Sequence, residues 1–134
     1  MNAVDSSLAV AALAGWHEAH EAARRAAAGT SIPAHARLET YSVLTRLPPP
    51  HRIPPDVASE LLARWFPDAE TIVPSARLSR SVVDRCSRLG VHGGAVYDAL
   101  VALTAAEADR TLLTRDERAA RTYDRLGVAF DLMC

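Results

Sequence analysis

Gly94-Ala95-Val96-Tyr97-Asp98-Ala99-Leu100-Val101-Ala102-Leu103, followed past a turn at Asp109-Arg110 by Thr111-Leu112-Leu113-Thr114-Arg115-Asp116, reads as a helix, a short strand and the start of another helix. Asp98 is the odd residue in it. At helical spacing its neighbours are Gly94, Ala95, Val101 and Ala102, so its own helix supplies no cation. A carboxylate on a small apolar face is costly to desolvate, which predicts a solvated cleft or a bound metal ion. The strand then delivers Asp116 at its carboxyl end, where open parallel sheets place their ligand sites.

Towards the N-terminus, Asn2-Ala3-Val4 reads as a buried strand ending at Asp5, with Ser6-Ser7 opening a helix over Leu8 to Leu13. Taken alone, Asp5 reads equally well as an N-cap. Trp16 to Ala28 is expected to form a second helix, Ser31 to Ala34 a strand, and His35 to Leu47 a helix carrying Glu39. The prolines from Pro48 to Pro55 impose an extended connection, after which Asp56 is expected to cap a helix reaching Phe66. Thr71-Ile72-Val73 is a further strand candidate, and Ser75 opens a helix to Leu89. Beyond the opening stretch, Asp116 to Leu126 is helical and Val128-Ala129-Phe130 is the last strand. This alternation predicts an α/β domain with a parallel sheet flanked by helices.

With 134 residues, 49% hydrophobic and 23% charged, the chain fits a single domain spanning 1–134. A net charge of -1 supplies no global basic field, so contact with nucleic acid would rest on a local arginine patch. Every one of the 15 basic residues is Arg. The absence of lysine excludes a Walker A phosphate grip and Schiff-base chemistry. Cys86 and Cys134 are too few for a disulfide framework, and His17 and His20 lack the further ligands of a metal site. The apolar run Leu8 to Ala14 is far shorter than the roughly 20 residues of a membrane span, so the expected location is cytoplasmic.

The acids sort by whether an arginine lies three or four residues away. Glu21, Glu60, Asp84, Glu107 and Glu117 each have one; Asp5, Glu39, Asp98 and Asp116 have none, and nor do Glu18, Glu70, Asp109 and Asp131, which sit at element ends or in turns. Four unpaired acids converging at one sheet edge would repel one another unless a hard divalent cation shared them.

Val4-Asp5-Ser6-Ser7, Glu39, Gly94 to Leu100 and Leu113-Thr114-Arg115-Asp116 together resemble, in order and spacing, a PIN-domain ribonuclease of the VapC toxin type. The resemblance implies a PIN-like three-layer fold with a five-stranded parallel sheet, usually as a homodimer. It implies an endoribonuclease dependent on Mg²⁺ (or Mn²⁺), with Asp5, Glu39, Asp98 and Asp116 as catalytic and metal-holding residues, and inhibition by a cognate VapB-type antitoxin. Thr114 is expected to support Asp116, while Arg115 and Arg118 read as solvated arginines within reach of a flanking phosphate. The alternative is a catalytically degenerate PIN-like module that binds RNA or antitoxin. A receiver-type phospho-acceptor domain fits less well because it needs a lysine, and a dehalogenase-like phosphatase needs an acid where Ser7 stands.

Overall fold

A computed structural model describes residues 1–133. The strand β1 (Asn2–Val4) is followed by α1 (Ser6–Leu13), α2 (His20–Ala27), β2 (Ile32–Pro33), α3 (Ala34–Arg46) and α4 (Pro55–Trp65). A 3₁₀ turn at Asp68–Glu70 leads into β3 (Thr71–Ile72), then α5 (Ala76–Leu89), α6 (Ala95–Glu107), β4 (Thr111–Thr114), α7 (Glu117–Leu126) and β5 (Phe130–Leu132).

All strand pairs are parallel, as the alternation of strands and helices requires. The expectation of one five-stranded sheet is corrected. The strands form two ladders, β1-β4-β5 and β2-β3. A single bridge between Ala3 and Ser31 joins them, made by Val4 N–H to the Ser31 carbonyl at 2.9 Å and Ser31 N–H to the Asn2 carbonyl at 3.2 Å. The pairing stops there because β2 is two residues long and its second residue, Pro33, has no N–H to give a ladder.

Three other boundaries differ from expectation. Residues 16–19 are turns, with His17 N–H on the Ala14 carbonyl and His20 N–H on the His17 carbonyl, so α2 starts only at His20. Helix α4 is capped by Pro54 with Pro55 in its first turn, a position where a missing N–H costs nothing; Asp56 lies inside that turn. The last strand begins two residues late: Val128 N–H closes the end of α7 on the Tyr123 carbonyl, and the register pairs Leu112 with Phe130.

The core gathers small and branched residues from α1, α6, β1 and β4, including Leu8, Ala11, Val101, Ala102 and Leu112. Tyr123 and Phe66 are its largest fully buried side chains. Ala23 and Ala27 of α2, and Ala58 and Leu62 of α4, are buried here too, so those helices turn their apolar faces inward. Large exposed apolar side chains stand elsewhere, at Leu38, Val73, Val83 and Tyr97. Cys86 is a buried free thiol, and Cys134 lies outside the described residues. No helix among the described residues is long and apolar enough to cross a membrane.

Candidate active site

Asp5 follows β1 at the point where the chain leaves the sheet, and its Oδ1 accepts the Leu8 N–H at 3.2 Å to start α1. The N-cap reading of Asp5 is thus correct, and it does not exhaust the residue. Oδ1 also accepts the Ser7 hydroxyl at 2.6 Å, and Oδ2 accepts the Tyr123 hydroxyl at 2.8 Å. With 4% of its surface exposed, the carboxyl is raised above its ordinary pKa by burial, against which the bonds from Ser7, Tyr123 and Leu8 pull down.

Asp116 sits two residues beyond β4, the neighbouring strand, and caps α7 through bonds from Arg118 N–H at 2.9 Å and Ala119 N–H at 3.2 Å. Both bonds fall on Oδ1. Thr114 supports the turn as expected, but through the backbone: its hydroxyl oxygen accepts the Asp116 N–H at 3.0 Å. Ser7 links the two strand ends. Its Oγ lies 3.3 Å from the Thr114 hydroxyl and accepts the Arg115 N–H at 2.9 Å. Since the Ser7 proton is committed to Asp5, Thr114 is the donor in that contact.

Asp98 enters from the first turn of α6 and Glu39 from α3, two helices that pack on each other. Both carboxyls are half-buried. The Asp98 pKa is pushed up to about 6, first by burial and then by the charges of Glu39, Asp116 and Asp5, with His35 acting the other way. Burial raises Glu39 as well, and the charge of Asp5 adds to it. Asp98 therefore feels acids from three other segments, Glu39, Asp116 and Asp5. His35, one turn before Glu39, stands 3.9 Å from its carboxylate and stacks on Tyr97 with ring centroids 5.3 Å apart and planes 8° from parallel.

Two contributors go beyond what the sequence singles out. Tyr123 acts on Asp5 across the fold, and no local spacing announces a partner 118 residues away, whereas Ser7, two residues after Asp5, belongs to the stretch that carries the family resemblance. His35 did leave a signal, since it lies four residues before Glu39 on the same helix.

The two larger cavities lie away from the acids. One of about 610 Å³ is lined by Leu78, Arg85, Leu103 and Arg110, and one of about 620 Å³ by Val82, Val83, Val96 and Tyr97. Charge chemistry, rather than cavity size, marks the site. The donor set fits a hard divalent cation: it is all carboxylate oxygen, and its mutual repulsion is what such an ion relieves. As the side chains stand, no three His, Cys, Asp or Glu residues among the described ones form a ready coordination shell.

The PIN domain pattern matches residues 3–125. The chain is 49% identical over 134 residues to Ribonuclease VapC40 of Mycobacterium tuberculosis, covering 99% of each. It is 45% identical over 131 residues to Ribonuclease VapC27 of the same species, covering 94% of this chain and 92% of that one.

Proposed function

The chain belongs to the PIN domain family, and from that footing we propose that it is a metal-dependent endoribonuclease, the toxin of a VapBC-type pair. The observation that carries the reading is Asp98, whose carboxyl is pushed up to about 6 by burial and by three acids from three other segments. On this reading Asp5, Glu39, Asp98 and Asp116 hold Mg²⁺ or Mn²⁺ within a single domain. When bound, the ion lowers the pKa of a coordinated water and offsets the charge that develops on the phosphate. The chain's own part is to fix the oxygens. Tyr123 and Ser7 lock both oxygens of Asp5, the α7 N-terminus orients Asp116, and His35 stands 3.9 Å from the Glu39 carboxylate on the same helix. No side-chain nucleophile is needed.

The partners that follow are RNA, a VapB-type antitoxin and a second copy of the chain, in the cytoplasm. Val83 and Tyr97 border the apolar cavity along α5 and α6 and supply exposed surface for association. The direct test incubates purified, antitoxin-free protein with total cellular RNA in Mn²⁺ and in chelator. Discrete cleavage products in Mn²⁺ that vanish in chelator are expected. Cleavage at full rate in excess chelator would overturn the metal mechanism, and intact RNA in both would favour the degenerate binding module.

A further inference from the structure

One residue before Asp116, Arg115 belongs to a cluster of donors without an acceptor. His17 Nδ1 accepts the Ala19 N–H at 3.0 Å, so the neutral ring carries its proton on Nε2. That Nε2 faces Arg115 Nη1 at 3.4 Å, and arginine is a donor only. Two donors therefore stand side by side. Arg115 Nε is buried and has no hydrogen-bond partner among the described residues, nor does the guanidinium pair with a carboxylate there. A shielded N–H left unsatisfied costs about 1–3 kcal/mol, so its persistence calls for an explanation. Burial, followed by the Arg115 charge, also holds the His17 imidazole below its ordinary pKa, as expected where positive groups meet without an anion.

The cluster has a fixed position. Arg115 immediately precedes Asp116, and its backbone N–H is tied to Ser7, the residue that also bonds Asp5. On the other side of His17 is Trp16, 47% exposed, its indole stacked on His51 with centroids 4.4 Å apart and planes 32° from parallel. The contacts run from arginine to histidine to tryptophan.

We propose that Arg115 and His17 receive a phosphate of single-stranded RNA next to the one being cleaved, and that the adjoining base stacks on Trp16. This deepens the ribonuclease reading and rests on it. The missing acceptor is anionic and oxygen-bearing, and a phosphodiester oxygen matches the paired donors. Base stacking on an aromatic ring is tolerant of sequence and suits an unpaired strand, whose bases are free to splay out. Trp16 and Arg115 are thus positioning residues, fixing which phosphate reaches the carboxylates.

The test uses the full chain and a short labelled RNA oligonucleotide. Affinity is measured in chelator by anisotropy, and cleavage in Mn²⁺ is measured in parallel. Trp16→Ala is expected to weaken binding roughly five- to hundredfold, with Trp16→Phe recovering most of it. Trp65→Phe leaves Trp16 as the sole tryptophan, and RNA should quench its fluorescence. Arg115→Met should lower the slope of log affinity against log salt by about 0.7. In Mn²⁺ both losses should fall on KM more than on kcat, while melting temperatures confirm that the variants fold. Wild-type affinity and an unchanged salt slope in the two variants, with wild-type cleavage intact, would overturn this proposal alone. Wild-type protein that neither binds nor cuts RNA would overturn the ribonuclease reading with it.

Discussion

The Tyr123 hydroxyl donates to Asp5 Oδ2 at 2.8 Å, joining α7 to the residue that follows β1. The bond is buried, and the charge of Asp5 together with burial keeps the phenol far above its ordinary pKa, so it remains a donor at any working pH. Removing it leaves a buried carboxylate with one oxygen unsatisfied. Tyr123→Phe is expected to cost about 1.5–3 kcal/mol of stability, read from chemical denaturation. It should also weaken Mn²⁺ binding by roughly 10- to 100-fold, as loss of a group orienting a metal ligand does. Calorimetric titration giving wild-type affinity would remove Tyr123 from the site.

Asp98→Asn is expected to move stability and activity in opposite directions. Asn retains the size of Asp but brings no charge to a cation, so cleavage should fall by orders of magnitude. In chelator, removing one of four mutually repelling acids should add on the order of 1 kcal/mol, a figure discounted because the group is only half-buried. Mn²⁺ should then raise the melting temperature of wild type more than that of the variant. A variant that melts well below wild type in chelator would make Asp98 a structural residue.

The same carboxyl gives the metal-free protein a pH dependence of definite sign. Its folded pKa of about 6 lies above the ordinary 3.8, so between those values the folded state binds more protons than the unfolded chain. Stability must therefore fall as pH rises through that window. Asp5 and Glu39 are raised too and push in the same direction, but they remain in the Asp98→Asn variant. Melts in chelator from acid to neutral pH should show a steeper decline for wild type. Parallel curves would refute the assignment.

These expectations rest on residues that were unequally legible in the sequence. Asp98 and Asp116 stand out because helical spacing is a local property, and neither has an arginine three or four residues away. Glu39 passes the same filter, and the neighbour at helical spacing that approaches it in the fold is a histidine, His35, rather than an arginine. The parallel α/β class followed from strands alternating with helices. The split into two ladders did not, since it depends on how far pairing can continue past Ser31 into Pro33. Trp16 looked helical because its neighbours favour helix. The chain instead turns there, with His17 Nδ1 accepting the Ala19 N–H.

A control away from the site is offered by Ser75, which caps α5 by accepting the Leu78 N–H at 3.0 Å. Its own N–H and hydroxyl are held by Glu107, at the end of α6, at 2.8 and 2.6 Å. Those bonds depress the Glu107 pKa. Ser75→Ala should cost about 1 kcal/mol in denaturation while leaving RNA cleavage unchanged. A matching loss of activity would show that α5 and the site are mechanically joined.

A catalytically silent chain is needed for crystallising an RNA complex or for expressing the protein without harm to its host, and Asp5 is a poor place to make one. One of its oxygens begins α1 and the other secures Tyr123 of α7, so a substitution there loosens two helices along with the chemistry. Asp98 accepts no hydrogen bond from the protein among the described residues, and an amide in its place leaves both helix anchors intact. The inert form that still resembles the working protein is Asp98→Asn.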